Sequence, residues 1–341
     1  VLANIDGGFG NGATAPGLLD IGLELDMEKL IGWKGGSFNA SAFLAYGENA
    51  SAEFIGDFNG ASNIFTDTDF NAFHLFVSQR LAEDMFFIKA GQIAVDDDFM
   101  SSETAGHFLN SAFGPLPTES GNTGTPIFPL AAPGALIRFT PNETVSFQAG
   151  LYAGDAGPVQ SSNHGFEWRT GGSGGWATFA EGSFSYARGT AKIGGFYHGS
   201  AFEDFRDGST REGLSAFYGI VDHHFSEPST SATGLSVFAR ASLTPQEEIA
   251  TVHQYYDAGI TFKNLFRPYD TLGFAASHTV FGDAFGIANP ELSSSETVLE
   301  LTYQLPLTTS WSIQPDIQYI LDPLESRDNA LVIGLRTELL F

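Results

Sequence analysis

Cysteine is absent from all 341 residues. Thiolate metal sites, disulfides and cysteine nucleophiles are therefore excluded, and the absence suits an oxidising compartment such as a bacterial periplasm or outer membrane. Basic residues are scarce as well: 15 Lys and Arg stand against 40 Asp and Glu, for a formal charge of −25. Nucleic acid is a poor partner for such a chain, because neutralising phosphates requires a basic footprint. No run of about 18 uninterrupted apolar residues occurs, which rules out a transmembrane helix. Val1 opens with neither a basic region nor an apolar core of signal-peptide type, so the chain reads as processed or trimmed. The 43% hydrophobic residues and the aromatic content, 32 phenylalanines among it, argue against disorder despite the high net charge.

Helical periodicity is rare and period-two alternation is common. Leu331, Ile333, Leu335, Thr337, Leu339 and Phe341 share one face, opposite Val332, Gly334, Arg336, Glu338 and Leu340. Trp311, Ile313, Pro315, Ile317, Tyr319 and Leu321 alternate with Ser312, Gln314, Asp316 and Gln318. Residues 296–305 set Leu299, Leu301, Tyr303 and Leu305 against Glu300, Thr302 and Gln304. Such a period marks strands with one wet side. Further runs fall at about 18–29, 37–47, 70–81, 85–94, 132–139, 144–153, 174–186, 188–199, 213–225, 234–243, 254–263 and 271–281. Val1–Gly8 adds a sixteenth, entered partway along its length.

Segments of about 9–11 alternating residues suit a tilted crossing of a bilayer. Connectors alternate between short (82–84, 140–143, 187–188, 306–309) and long (48–69, 95–131, 154–173, 200–212, 282–295). Counted from Phe341 on the periplasmic side, every long connector lands outside, as in an outer-membrane barrel. Aromatics cluster at strand ends (Tyr303, Trp311, Tyr319, Phe341) in the manner of an interfacial girdle. The expectation is a single-domain, all-β, 16-stranded antiparallel transmembrane β-barrel over residues 1–341, its first strand truncated at the start. The competing soluble β-sandwich would carry more Lys and Glu on its polar faces.

Several segments resemble the OprB-type carbohydrate-selective porins. They are Val1–Gly8, the LDMEKLIGWKGG segment over Leu25–Gly36, WSIQPDIQYILDP over Trp311–Pro323, and NALVIGLR over Asn329–Arg336. The resemblance implies a sixteen-stranded porin in a Gram-negative outer membrane that passes sugars by facilitated diffusion. It also implies that the third external loop, 95–131, folds inward to narrow the channel.

Taking the polar faces as the lumen gives the candidate path residues. Basic ones are Lys89, Arg138, Lys192, Arg240, Lys263 and Arg336; acidic ones are Glu24, Asp26, Glu181, Asp257, Glu300, Asp316 and Glu338. Opposed charges of this kind would orient hydroxyl-rich solutes through hydrogen bonds. The alternative for each is a structural wall pair. Loop 95–131 adds Asp96, Asp97 and Asp98, read as solvated acid rather than a cation site, with Phe99, Phe108, Phe113 and Phe128 either facing a sugar or pinning the loop. Loops 48–69 and 95–131 hold ten carboxylates (Glu48, Glu53, Asp57, Asp67, Asp69, Asp96, Asp97, Asp98, Glu103, Glu119) and no Lys or Arg. They would gather cations, or bridge to lipopolysaccharide through divalent ions. His223-His224 beside Asp222, and His253, His278 and Ser277, match no catalytic spacing. The expected function is passage of neutral monosaccharides such as glucose, with a general or cation-preferring porin as the alternative. No catalytic residue, metal or cofactor is expected. Expected partners are sugars, outer-membrane lipids and lipopolysaccharide, with no nucleic acid; nothing in the residues sets monomer against trimer.

Overall fold

The computed structural model describes residues 1–67, 70–159, 163–169, 174–226, 233–326 and 328–341. The alternating runs become strands: β1 Leu2–Asp6, β2 Gly12–Thr14, β3 Gly17–Asp26, β4 Gly36–Tyr46, β5 Phe70–Leu81, β6 Phe86–Ile93, β7 Ala132–Phe139, β8 Val145–Ala153 and β9 Trp176–Tyr186. The second half follows with β10 Gly189–Glu203, β11 Thr210–His224, β12 Gly234–Leu243, β13 Val252–Lys263, β14 Thr271–Phe281, β15 Ser295–Pro306, β16 Trp311–Leu321 and β17 Ala330–Leu339. All belong to one antiparallel sheet. From β3 to β17 each strand pairs with its neighbour in sequence, and β1 pairs with β17 on one side and β2 on the other. Short helices are α1 Met27–Ile31, α2 Pro117–Ser120 and α3 Asp283–Ala288.

Local chemistry sets the breaks. Pro16 lacks a ladder donor and separates β2 from β3. After β3, the Asp26 Oδ1 accepts from the backbone N–H groups of Glu28 and Lys29 at 3.0 and 3.2 Å and starts α1. Gly32, at φ +76°, stops the helix in the left-handed region that favours glycine. The expected 200–212 loop shrinks to 204–209, because β10 and β11 extend to fifteen residues each and pair through Glu203 and Thr210. At the end of the sheet where Phe341 lies, the connectors 27–35 and 225–233 are longer than the short ones expected at 82–84, 140–143, 187–188 and 306–309. β2 was not anticipated.

The sheet is inverted in polarity. Leu301, Ile317, Ile333 and Leu335 are exposed, whereas Glu300, Gln318 and Asp316 on the opposite faces of the same strands are buried. The polar faces are covered mainly by the segment between β6 and β7. Phe99, Met100 and Leu116 of that segment pack with Tyr152, Phe179, Phe196, Tyr218 and Ile220 of β8 to β11. Phe108 and Phe113 pack with Phe238, Ala275, Val298, Ile320 and Val332 of β12 to β17.

The face assignment is testable by charge insertion. Leu335→Arg should cost about 2–4 kcal/mol if it enters hydrocarbon near mid-depth. Glu338→Arg, on the opposite face of β17, should assemble normally. The yield of heat-modifiable barrel on electrophoresis measures both, and equal yields would contradict the assignment.

Candidate functional site

The site is the space on the polar face that the β6–β7 loop leaves open, so the loop's attachments define it. The attachments are carboxylates of the wall. Glu300 of β15 accepts from the backbone N–H groups of Leu109 and Asn110 at 2.6 and 2.9 Å. Asp222 of β11 accepts from Ser102 Oγ and Thr104 N at 2.7 and 3.1 Å. Glu181 of β9 accepts from Met100 N at 3.2 Å, and its other contacts are Tyr218 Oη at 2.9 Å and Gln148 Nε2 at 3.0 Å. The 47–69 loop is held the same way: Glu296 of β15 accepts from the N–H groups of Phe58, Asn59 and Leu324. A buried carboxyl group that receives several N–H donors has its acceptor capacity used, and its removal orphans those donors.

Arg240 serves loop carbonyls instead. Its Nε bonds the Asp257 carboxylate, Nη1 donates to Gly114 O at 2.6 Å and Met100 O at 3.5 Å, and Nη2 donates to Ala112 O at 3.2 Å and to Asp257. All five guanidinium donors are engaged. Tyr255 Oη donates to Asp257 Oδ2 at 2.9 Å. The pair is sealed, with side-chain exposures of 1% and 0%.

The three aspartates at the loop's start are not a solvated run. Lys89 Nζ lies 3.2 Å from Asp97 Oδ2 and 2.9 Å from Asp98 Oδ2. Arg138 Nη2 donates to Asp98 Oδ1 at 3.0 Å and its Nε to Gln148 Oε1 at 2.8 Å. His74 Nε2 stands 2.9 Å from Asp97 Oδ2. Burial alone would raise the Asp97 carboxyl, but His74 and Lys89 hold it below its usual range. Asp96 has no such partner; burial, aided by the Asp97 charge, pushes it up to about 7. Burial and the Asp96 charge likewise raise Glu119 well above the carboxylate range, and Glu119 Oε2 has no hydrogen-bond partner.

Other sequence candidates fall in varied places. Lys192 is half-buried and donates to Ser101 O at 2.8 Å. Arg336 Nη2 bonds Asn63 Oδ1. Lys263 ends β13, half-buried. Asp316 accepts from Gln318 Nε2 at 2.8 Å. Glu24 is exposed on β3. Asp26 is the cap of α1 and pairs with Lys29 at 3.0 Å, at the Phe341 end of the sheet. Phe108 and Phe113 are 1% and 3% exposed and lie within the loop–wall core. Asp69 lies outside the described residues. The histidines do not gather: His223 meets Tyr186 Oη at 3.1 Å, His253 meets Glu247 at 3.2 Å, and His278 meets Thr297 Oγ1 at 2.8 Å. Sequence reasoning missed Glu296, Gln148 and Asn110, and gave Asp222 and Gln318 no part in holding the loop; Asn110 and Gln318 are joined by a bond of 2.9 Å. Their inward parity was readable for the strand members, but the loop atoms they meet were not.

A strand-built wall with apolar side chains outside, polar ones inside and a loop fastened to the inner set is the arrangement of an outer-membrane β-barrel porin. The family model "Carbohydrate-selective porin, OprB family" matches residues 10–341, and the chain belongs to this family. Porin B of Pseudomonas aeruginosa is 25% identical over 397 residues, covering 99% of this chain and 85% of the relative. Among solved structures, Pseudomonas putida OprB at high pH superposes with a TM-score of 0.90 at 20% identity, over 100% of this chain and 91% of that one. The outer-membrane channel DcaP of Acinetobacter baumannii gives 0.53 at 10% identity, over 89% and 81%. The protein is thus a carbohydrate-selective porin of the bacterial outer membrane, a channel and not an enzyme.

Two predictions follow from the attachments. Arg240→Met leaves Asp257 buried and unpaired, which should cost about 3–5 kcal/mol, while adding Asp257→Leu should recover most of the loss. Chemical unfolding of the refolded barrel reads both; a double variant as unstable as the single one would contradict the pairing. For Asp96 the sign follows from proton counts. Between the ordinary carboxyl value of 3.8 and about 7 the folded group keeps its proton and the unfolded one does not. The folded state then binds more protons, so this contribution to stability falls as pH rises through that window. Amides of loop 95–131 should therefore exchange faster at pH 8 than at pH 5 after correction for intrinsic rates. Asp96→Asn should abolish the difference.

Proposed function

We propose that the sheet closes as a sixteen-stranded barrel, β2 and β3 being two parts of one strand interrupted at Pro16, and that the 94–131 loop lies inside as the constriction. Neutral monosaccharides such as glucose pass by facilitated diffusion through the remaining gap. The pairing of β1 with both β17 and β2 supports closure. The exposed faces of β3 to β17 meet outer-membrane lipids.

The observation that carries the path is which charges remain open. Arg138 keeps a side-chain exposure of 34% and Lys192 is half-buried, on β7 and β10. Asp20 and Glu24 of β3 and Glu338 of β17 are exposed with the opposite sign. In a sixteen-strand ring β3 and β10 stand on opposite sides, so solutes cross between a basic wall and an acidic one. Hydroxyl groups, which both donate and accept, bind either wall and are held by neither charge alone. Arg240, Glu300 and Asp316 act on this reading as positioning groups that fix the loop, and Asp26 as a turn cap; Phe108 and Phe113 pin the loop rather than meet sugar. A cation-preferring pore without a saccharide site is the second reading, favoured by the acidic loops, although Asp97 and Asp98 are already spent on Lys89 and Arg138.

Glucose block of single-channel current separates the two. Arg138→Ala and Lys192→Ala should each weaken block about fivefold, the worth of roughly 1 kcal/mol, and Arg138→Ala should also raise salt conductance. Arg138→Lys should keep conductance and lose part of the block, because the planar fork is gone. Unchanged block in all three variants would leave the plain diffusion pore.

A further inference from the structure

A cavity of about 330 Å³ lies at the far end of the sheet from Phe341, away from the Arg138–Lys192 wall. Its lining comes from residues 48–65, with Leu2, Pro16, Ser111 of the constriction loop and Glu325 of the connector between β16 and β17. The chemistry is carried by Glu48, Asn49, Asp57, Glu325 and the rings of Phe58 and Phe65. We propose that this cavity is a second saccharide site at the outer mouth, built for one sugar ring without anionic groups and favouring amino sugars over neutral ones.

The lining backbone is fixed before any ligand arrives. Phe58 N donates to Glu296 at 2.6 Å, Gly60 N to Asp57 Oδ2 at 3.0 Å, Glu325 N to Gly56 O at 2.8 Å, and Ser111 N to Gly60 O at 2.9 Å. A pocket already ordered spends less of its binding energy on closing. Its volume is near the lower limit of small-ligand sites, about 300 Å³, which restricts the occupant to a single ring.

Composition selects the class. Ionised carboxylates only accept hydrogen bonds, so the exposed Glu48 and Glu325 call for a ligand rich in donors. Glu48 and Glu325 are both exposed, and no Lys or Arg is among the described residues lining the cavity. Asp57 Oδ1 has no hydrogen-bond partner, and burial pushes this carboxyl up to about 6. A phosphorylated or carboxylated sugar would be repelled, whereas the ammonium of an amino sugar would be attracted. A hard cation fits less well, since it needs six or more converging oxygens and, among the described residues, no group of three acidic or histidine side chains is placed to hold one. The phenylalanine faces offer the apolar surface that pyranose rings stack upon.

This inference rests on the saccharide-channel reading, and the test keeps the two apart. Glucosamine, glucose and glucose 6-phosphate are titrated calorimetrically into the detergent-solubilised porin, with glucose block of current recorded in parallel. Wild type should bind glucosamine about fivefold more tightly than glucose, the gain of one partly exposed ion pair, and glucose 6-phosphate least. In Glu48→Gln/Glu325→Gln, whose altered side chains hold no backbone, glucosamine affinity should fall to that of glucose while glucose block persists. Equal affinities in wild type, or a preference that survives in the double variant, would overturn the second site. Absence of glucose block in wild type would instead overturn the channel reading.

Discussion

A peptide group facing hydrocarbon must find its partner within the protein, and every other feature of this porin follows from that constraint. It forces the wall into one sheet, each strand satisfied by its neighbours. It turns the ordinary polarity inside out, so that Leu335 and Ile317 face outward while Glu300, Asp316 and Gln318 are buried. The interior then has the opposite problem. A polar wall needs something to bond, and the long β6–β7 loop supplies backbone groups that need the same.

The two needs are met reciprocally. Wall carboxylates take the loop's N–H groups, and the Arg240 guanidinium takes its carbonyls at Met100, Ala112 and Gly114. Apolar packing of Phe99, Phe108 and Phe113 holds the same loop from beneath. Most charges on the inner wall are therefore consumed in positioning, and the few left open give the channel its character. Net acidity of the chain and the chemistry of the path are separate matters. Asp97 and Asp98 add to the formal charge yet are neutralised locally by Lys89 and Arg138.

The strands were legible in the sequence because period-two alternation is a local property. β5, β7, β12, β14 and β16 begin and end at the residues where the alternation does. The turn at Asp26 was not, since a capping aspartate and a lumen aspartate look alike when both follow an alternating run. Parity told which residues face inward but could not tell buried from open: Arg138 and Arg240 have the same pattern around them, yet one is partly exposed and the other sealed. That difference is made by a loop 94–131 whose path depends on contacts with strands more than 200 residues away, such as Asn110 with Gln318. Nothing local encodes those meetings. The aspartate run, read as solvated, lies where three basic groups from separate strands converge.

The central claim is that the loop stays fastened to the wall while the channel conducts. Thr118 Oγ1 of α2 and Ser242 Oγ of β12 stand 2.7 Å apart, and the chain has no cysteine to interfere. Single-channel recording of Thr118→Cys/Ser242→Cys, oxidised and then reduced, tests the claim directly. The bridge should form in the assembled barrel and leave conductance and glucose block the same in both states. Thiols that stay free, or a current that changes when the bridge is reduced, would mean that the loop leaves the wall during transport.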